Sequence, residues 1–412
     1  MLSASIRPKC IDTSVDNSLQ VPAGIGAIVI VMITYVITTL LQGLFGSIPI
    51  NRLIGFSLIA LLAYEWSATR KSHISYLVAL GFIVLSLRSA TVMVNTSQEV
   101  SDWVYLASTL FILGLVTSAS SREGVRQALY LYRRYVIFVV MASVLLLIGL
   151  LITRTGYVSA WGEEPYFKGL CNSEHTLASI CTLLLVLIVF LARTGASRGI
   201  CIVSSAVVLY ALLETGARTY LIPASICLFF LIDGLVEHKW AKGVLVVLVF
   251  FLGAVAFTGS GMASKFDFVQ SNVWTDSLLN AFTNGRDEIW MTDLEAWFNS
   301  GPLGLLMGNS FSAIYKLNMA KLSLTIWAHN DFVMVLFGAG LIGLGLYAGV
   351  LLYLFKTMRE SLRLGDSLLI AVFVLFPLLL NGFFPYQHLV YAFALLYAVC
   401  SSSTTYGKAI DD

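Results

Sequence analysis

The chain consists of long, uninterrupted apolar runs separated by short polar segments. A run of about 20 apolar residues is long enough to cross the hydrocarbon core of a bilayer as a helix. The runs are continuous rather than alternating, which excludes a transmembrane β-barrel, because backbone groups in hydrocarbon must be paired. The pattern predicts an all-α polytopic integral membrane protein with about 12 transmembrane helices. The apolar windows are 21–46, 53–68, 75–95, 103–120, 134–153, 176–193, 199–213, 219–236, 241–258, 331–356, 366–384 and 387–403.

The composition agrees with this pattern. Of the 412 residues, 58% are hydrophobic and 12% are charged, about half the charged share of a soluble globular protein. The mean hydropathy of +0.86 excludes a disordered chain. A net charge of +2 without a basic cluster argues against a nucleic-acid partner. The 6 cysteines show neither a metal-binding spacing nor an external pair, which excludes a disulfide-rich secreted domain.

The distribution of Lys and Arg predicts how the chain lies in the membrane. With the N-terminus in the cytoplasm, 16 of the 25 basic residues fall in cytoplasmic segments, as the positive-inside rule expects. We therefore expect nine transmembrane helices in 1–258 and a large external loop in 259–330. The remaining segment, 331–412, is expected to hold three transmembrane helices and a cytoplasmic C-terminus.

The external loop 259–330 contains a predicted amphipathic helix over residues 287–298. Two acidic residues suit its first turn, and Gly301-Pro302 is expected to end it. Its apolar residues form one stripe, typical of a helix that lies on the membrane surface or packs on the bundle. These residues are Ile289, Trp290, Leu294, Trp297 and Phe298.

Aromatic residues in the external segments, including the second external loop at 154–175, have two explanations. Such rings stack on the faces of sugars, or they anchor a chain at the membrane interface. The residues concerned are Trp161, Tyr166, Trp274, Trp290 and Trp327.

Arginines near the outer face are the first candidates for function, because charge within a bilayer is costly. Arg218 lies where the seventh apolar run meets the eighth, and either pairs with Glu214 or binds an anion beside a helix N-terminus. Arg286 precedes the loop helix and either pairs with neighbouring acids or binds an anion. Arg88 lies inside the third run and either snorkels to the interface or lines an external cavity.

His329-Asn330-Asp331 opens the tenth apolar run. Spacing alone favours a helix cap or a hydrogen-bonded polar residue for His329. The functional alternative is a general base, because imidazole titrates near neutral pH. The glycines that follow allow close approach of another helix, and we interpret them as packing residues. They are Gly338, Gly340, Gly343 and Gly345.

One spacing resembles that of a known family. Gly340 follows His329-Asn330 after nine residues, and Gly343 follows after two more. This is similar to the His-Asn-x9-Gly-x2-Gly pattern of the bacterial O-antigen ligase and polymerase family. The position of the motif, at the far end of a large external loop, also agrees with that family.

Two further elements support the resemblance. Gly-Ala-Arg218-Thr follows the seventh run, where family members carry an arginine. Gly-Arg286-Asp-Glu-Ile-Trp290 resembles the Gly-Arg-x-x-x-Trp element that opens the loop helix. The order of the three elements matches across residues 214–343, whereas the flanking runs agree only in number and hydropathy.

The resemblance implies a membrane glycosyltransferase with a helical, GT-C-like fold, active on the external face of the bacterial cytoplasmic (inner) membrane. It implies His329 as catalytic base and Arg218 and Arg286 as ligands of the donor pyrophosphate, without a metal or other cofactor. The physical chemistry agrees, because two guanidinium groups can neutralise a pyrophosphate leaving group. Candidates for supporting roles are Arg88, Asn330 and Asp331.

The partners implied are a glycan donor linked to undecaprenyl pyrophosphate, a sugar acceptor, and the lipid bilayer. A chain-length regulator or a flippase is a further candidate partner. A polymerase passes the glycan to the next lipid-linked repeat unit, and a ligase passes it to a lipid A core sugar. We favour polymerisation, because polymerases are the more numerous kind, and keep ligation as the alternative.

Two other classes of function compete with the enzyme. A transporter of lipid-linked glycan would need charges spread through several spans and internal repeats. In this sequence the charges gather at the outer face beside one large loop, which favours chemistry at the surface. A structural or sensory membrane protein is the remaining alternative.

Overall fold

The computed structural model is almost entirely helical. It describes residues 21–45, 50–68, 73–159, 165–258, 260, 262–263, 283 and 285–401. The α-helices are α1 (Ala23–Leu40), α2 (Ile50–Ala68), α3 (His73–Ala90), α4 (Thr96–Thr117), α5 (Ala119–Leu131), α6 (Arg133–Ile152), α7 (Glu174–Arg193), α8 (Arg198–Glu214), α9 (Leu221–Leu235), α10 (Lys239–Thr258), α11 (Arg286–Phe298), α12 (Gly301–Met307), α13 (Phe311–Leu322), α14 (Asp331–Ser361), α15 (Leu364–Leu380) and α16 (Gln387–Cys400). Short 3₁₀ helices cover Gln42–Leu44 and Arg218–Tyr220, and an antiparallel hairpin pairs β1 (Tyr157–Val158) with β2 (Tyr166–Phe167).

Within the described part of the chain, six helices are long and apolar enough to cross a membrane. Each apolar window of the sequence lies on a helix, which agrees with the predicted helical membrane protein. The six stretches are Ala23–Leu40, Thr96–Thr117, Arg133–Ile152, Glu174–Arg193, Arg218–Leu235 and Asp331–Ser361. Shorter apolar helices are Leu53–Glu65, Leu80–Ala90, Leu364–Leu380 and Gln387–Cys400.

The core of the bundle is built around α7 and α16, whose side chains are buried on almost every face. Helices that are apolar on all sides belong in such a core. On the periphery, large apolar side chains are exposed, among them Leu145, Ile152, Val247 and Leu352. Apolar side chains on the outside of a bundle suit contact with lipid.

The segments that connect the helices contact one another in two separate sets. We name one set the site end: residues 41–45, 91–95, 154–159, 165–175, 214–220, 285–330 and 381–386. The other set is the opposite end: residues 118–132, 194–197, 236–238 and 361–363. Hydrogen bonds at the site end join Gly43 to Leu170, Asn95 to Ser312 and Tyr157 to Glu214. Which end faces the cytoplasm stays a prediction.

Within its described residues, the long loop contains three helices where the sequence predicted one. The predicted helix is confirmed as α11, which begins at Arg286 and ends at Phe298. Gly301-Pro302 does not end it but opens α12, because proline suits the first helical turn, where no N–H partner is needed. The helices α11, α12 and α13 all pack against α14.

The buried face of α11 differs from the predicted apolar stripe. Phe298 is 72% exposed, whereas Asp293 is fully buried and faces Asn318 of α13. Neither carboxylate oxygen of Asp293 has a hydrogen-bond partner. By helical periodicity Asp293 lies between Ile289 and Trp297, so the side covered by α13 is the predicted face with a carboxyl within it, and Phe298 lies at its exposed edge.

α14 is broken at Gly340, whose backbone (φ +68°, ψ −169°) is one that only glycine readily adopts. The break frees carbonyl groups of the preceding turn. Asn309 N donates to Phe337 O at 2.8 Å and Ser310 N donates to Gly338 O at 3.3 Å. Gly338 and Gly340 therefore pack as predicted, against α12 and the residues before α13, whereas Gly345 faces open space.

Candidate active site

Four segments of the site end meet around the side chain of Asn381. They are the 3₁₀ helix after α8, the first turn of α11, the residues before α14, and the turn between α15 and α16. Asn381 Oδ1 accepts from Arg286 Nη2 at 3.3 Å and lies 3.1 Å from His329 Nδ1. Its Nδ2 donates to the Tyr220 hydroxyl at 3.1 Å. One buried amide thus joins two of the predicted site residues.

Arg286 contacts neutral oxygens rather than carboxylates. It donates to the Leu380 carbonyl and to Asn381 Oδ1, and no ion pair with it occurs among the described residues. Adjacent Asp287 accepts from the Thr283 hydroxyl at 2.7 Å instead. Burial, together with the like charge of Arg218, lowers the pKa of Arg286 to about 10, so the group is a cation at neutral pH.

Arg218 opens the 3₁₀ helix that leads into α9. Glu214, which the sequence offered as its partner, accepts a hydrogen bond from the Tyr157 hydroxyl at 3.0 Å. Arg218 is close enough to Arg286 for the two charges to repel each other. The site therefore brings two cations together beside the N-terminal end of a helix, an arrangement that favours an anionic ligand.

His329 is held between aromatic rings in an unusual backbone conformation. It is 7% exposed, and its φ of +52° lies in the left-handed region, which costs about 1–2 kcal/mol. The ring centroid lies 4.5 Å from that of Trp327 and 6.3 Å from that of His175. Trp290 Nε1 donates to the Ala328 carbonyl at 2.7 Å and fixes the preceding residue. Strain of this kind is common at functional sites.

Asn330 and Asp331 have structural roles that free His329 from capping α14. The Asn330 side chain accepts from two N–H groups of the first turn and donates to the Leu379 carbonyl at 3.0 Å. Asp331 accepts from two backbone N–H groups of the α15–α16 turn and from the Tyr347 hydroxyl at 2.7 Å. Asn330 is the cap and Asp331 ties the two elements together, so the cap interpretation of His329 is wrong.

The remaining predicted positions are Arg88, Tyr166, which lies close to Arg218, and two tryptophans outside the described residues. Arg88, in the last turn of α3, donates to Thr91 Oγ1 at 2.7 Å, and no described hydrogen bond joins it to the cluster. Tyr166 is buried in the hairpin, with 1% of its surface exposed. Trp161 and Trp274 lie outside the described residues.

The structure adds residues that sequence reasoning did not place in the site. The Tyr386 ring lies 5.9 Å from the rings of both Tyr220 and Trp327, and 6.1 Å from that of His175. Glu174 lies beside this wall, with its Oε1 3.9 Å from His175 Nε2. Together these side chains form an aromatic wall with one carboxylate at its edge, next to His329.

Asn381 is the central residue that the sequence did not reveal. It stands before Gly382 at the end of an apolar run, which is how many helices end. Nothing local distinguishes such an asparagine from an ordinary helix terminus. Its importance follows from the three partners it meets, which come from distant parts of the chain.

The chemistry available in the cluster is that of an anion site with a base. Two guanidinium groups suit phosphate oxygens, and imidazole suits proton transfer near neutral pH. Within the described ranges, no group of three or more His, Cys, Asp or Glu side chains is arranged to hold a metal ion.

Comparison with known proteins adds nothing to this geometry. No family model, curated protein or solved structure matches the chain.

Proposed function

We propose that the chain is a metal-independent, inverting glycosyltransferase that moves a glycan from undecaprenyl pyrophosphate to a sugar hydroxyl. The observation that carries this proposal is that Asn381 joins Arg286 to His329, with Arg218 close enough to Arg286 for their charges to interact. The reaction has an anionic leaving group and an acceptor that must lose a proton. Two cations can stabilise the leaving group, and one base can accept the proton. The motif resemblance points to the same chemistry.

We propose about 12 transmembrane helices in a GT-C-like arrangement, with the site end on the external face of the bacterial cytoplasmic membrane. The six long apolar helices support a membrane-embedded bundle, and the distribution of basic residues supports this orientation. Single cysteines at Asn299 and His238, exposed at the site end and the opposite end, test it. An impermeant thiol reagent applied to intact cells should label position 299 and spare position 238. The reverse pattern would overturn the orientation.

The donor pyrophosphate is assigned to Arg218 and Arg286. Planar guanidinium groups bind phosphate oxygens through paired N–H donors. These hydrogen bonds strengthen as negative charge develops on the leaving group. Arg286 suits this role because its hydrogen-bond partners among the described residues are the neutral oxygens of Leu380 and Asn381. Its lowered pKa of about 10 still keeps it protonated at neutral pH.

The transfer step is assigned to His329. The imidazole accepts the proton of the acceptor hydroxyl while its oxygen forms a bond to the anomeric carbon. The bond from that carbon to the phosphate oxygen breaks, and its electron pair leaves with the pyrophosphate. Attack from the opposite face inverts the anomeric carbon in a single displacement, without a glycosyl-enzyme intermediate.

The acceptor is proposed to be the next lipid-linked repeat unit, which makes the chain an O-antigen polymerase. Ligation to a lipid A core sugar is the alternative, because the donor site serves both reactions equally. The purified protein, given labelled lipid-linked repeat units alone, should form products of increasing length. Products that appear only after lipid A core is added would identify a ligase.

The experiment that tests the catalytic assignment compares His329→Gln with His238→Gln in purified protein supplied with lipid-linked donor. His238 is exposed at the opposite end and provides the same chemical change outside the site. Loss of a general base costs about 10²–10⁴ in rate. The transfer rate of His329→Gln should therefore fall by that factor, while His238→Gln should keep the wild-type rate. Activity of His329→Gln within a few-fold of wild type would refute the assignment.

A further inference from the structure

The contacts of Asn381 determine how its amide group is oriented. Arginine has only N–H donors, so the atom that faces Arg286 at 3.3 Å must be the accepting oxygen. The amide nitrogen is then directed at the Tyr220 hydroxyl, 3.1 Å away, and donates to it. Because Arg286 cannot accept a hydrogen bond, the reversed orientation would place an N–H group against its N–H group.

This orientation determines where His329 carries its proton. His329 Nδ1 lies 3.1 Å from the same Asn381 oxygen, which can only accept. Nδ1 must therefore be the N–H nitrogen of the ring. In the neutral side chain the basic lone pair is then on Nε2, the nitrogen on the far side of the ring from Asn381.

We propose that Asn381 is a positioning residue, which holds His329 in the Nδ1–H tautomer and Arg286 in place through one shared oxygen. This inference rests on the proposed function, in which His329 is the base and Arg286 binds the donor. Asn381 orients both groups without touching the reacting atoms. It is buried at the end of α15, where its backbone N–H is bonded to the Pro377 carbonyl at 2.8 Å.

An amide suits this position better than the carboxylate that often orients a catalytic histidine. A carboxylate would neutralise Arg286 and weaken its attraction for a pyrophosphate. The amide oxygen still accepts from the Nδ1–H group when His329 becomes an imidazolium. The site thus keeps its positive charge for the donor and a fixed proton position for the base.

The tautomer itself can be measured without any substrate. Histidine ring ¹⁵N solid-state NMR of the membrane-embedded protein reports which nitrogen bears the proton, and the His329 signals among the 5 histidines are those lost in His329→Gln. Neutral wild-type His329 should show the Nδ1–H form. Asn381→Leu, which removes the acceptor, should shift signal to the Nε2–H form. A neutral wild-type ring protonated on Nε2 would overturn the proposal.

A second measurement uses Asn381→Asp, which keeps the shape of the side chain should the leucine variant fail to fold. The new carboxylate stabilises the imidazolium, so the acidic limb of the pH–rate profile should move up by about one pH unit or more. The KM for the lipid-linked donor should rise as well, because Arg286 is partly neutralised. A merely structural role would lower activity at every pH and leave the limb in place, and that outcome would refute the proposal.

The matched control is Asn299→Asp. Asn299 is an exposed residue at the other end of α11, about 20 Å along the helix from Arg286. This variant makes the same chemical change outside the site. It should leave both the acidic limb of the pH–rate profile and the KM for the donor within error of wild type. If wild-type protein transferred no glycan at all, the proposed function would fail, while the NMR result would still decide the role of Asn381.

Discussion

At the opposite end of the bundle several basic residues pair with acids, whereas the described partners of Arg286 at the site end are neutral oxygens. Asp233 contacts Arg193 and Lys242, with N–O distances of 3.9 and 2.5 Å. Arg198 lies 3.7 Å from Glu237, and both of those side chains are largely exposed. Such exposed pairs contribute little to stability.

The backbone shows the same contrast. Among the described residues, all four non-glycine residues with positive φ lie at the site end: Arg154, Ser310, Ser323 and His329. Strained backbone persists only where surrounding structure holds it, and it concentrates where function needs a particular geometry. The coincidence of two neighbouring cations, a histidine and strained backbone at one end is what identifies that end as the candidate site.

The largest expected effect tests the difference in charge directly. Arg286→Ala should lower the rate of glycan transfer by about 10²–10³, the usual cost of losing a group that stabilises developing negative charge. Arg198→Ala, at the opposite end, should stay within about twofold, because an exposed ion pair contributes little. The rate is measured with purified protein and lipid-linked donor in the presence of EDTA.

Arg286→Lys and Arg218→Lys sharpen this test, because lysine keeps the charge and loses the planar fork. The transfer rate of each lysine variant should lie between that of wild type and that of the corresponding alanine variant. Full activity of both alanine variants, or loss of wild-type activity in EDTA, would contradict the assignment of the pyrophosphate to these arginines.

The next effect concerns the strained backbone of the broken helix. Gly340→Ala should destabilise the protein by about 1–3 kcal/mol, because alanine rarely adopts this conformation and its Cβ would meet the Leu306 backbone. Gly345→Ala, five residues on in a helical conformation facing open space, should be neutral or slightly stabilising. Thermal unfolding in detergent compares the two, and equal midpoints would show that the break at Gly340 carries no constraint.

A smaller effect distinguishes two aspartates. Burial raises the pKa of Asp293 to about 8, although Asn318 lowers it, whereas Asp233 is exposed beside two cations. Because the folded state holds Asp293 protonated, its contribution to stability is complete below about pH 4 and is lost as pH rises towards 8.

Asp293→Asn mimics the protonated side chain and should remove this loss. At pH 8.5 it should be more stable than wild type by about 1–2 kcal/mol, with a smaller difference at pH 5. Asp233→Asn should show no such gain at high pH. Equal pH dependence in wild type and Asp293→Asn would show that this carboxyl does not titrate on unfolding.

The smallest effect lies at the opposite end. Removing the Arg198–Glu237 pair by Glu237→Gln should change the free energy of unfolding by less than about 1 kcal/mol, and still less in high salt. The same measurement on Asp331→Asn, which loses a buried carboxylate with three hydrogen-bond donors, should give a clearly larger loss. Equal losses would contradict the contrast between the two ends.

Sequence reasoning identified the helices and three of the residues that converge, but not what lies between them. Charge or motif singled out Arg218, Arg286 and His329, and all three residues lie at the site end. The alternative that paired Glu214 with Arg218 is not seen among the described ion pairs, and the hairpin brings Tyr157 to that acid instead. A residue 57 positions away in the chain cannot be ranked as a partner from local spacing.

The sequence by itself determined the apolar helices, the loop helix at Arg286, and the presence of cations and a histidine near the ends of apolar runs. Hydropathy and helical periodicity are local properties, so they can be read from a window of residues. Only the tertiary structure decided that Asn381 joins Arg286 to His329, that Asp293 is buried, and that α14 breaks against α12. These features depend on which distant segments pack together, and the same residue is a cap, a surface group or a site residue according to the neighbours that packing supplies.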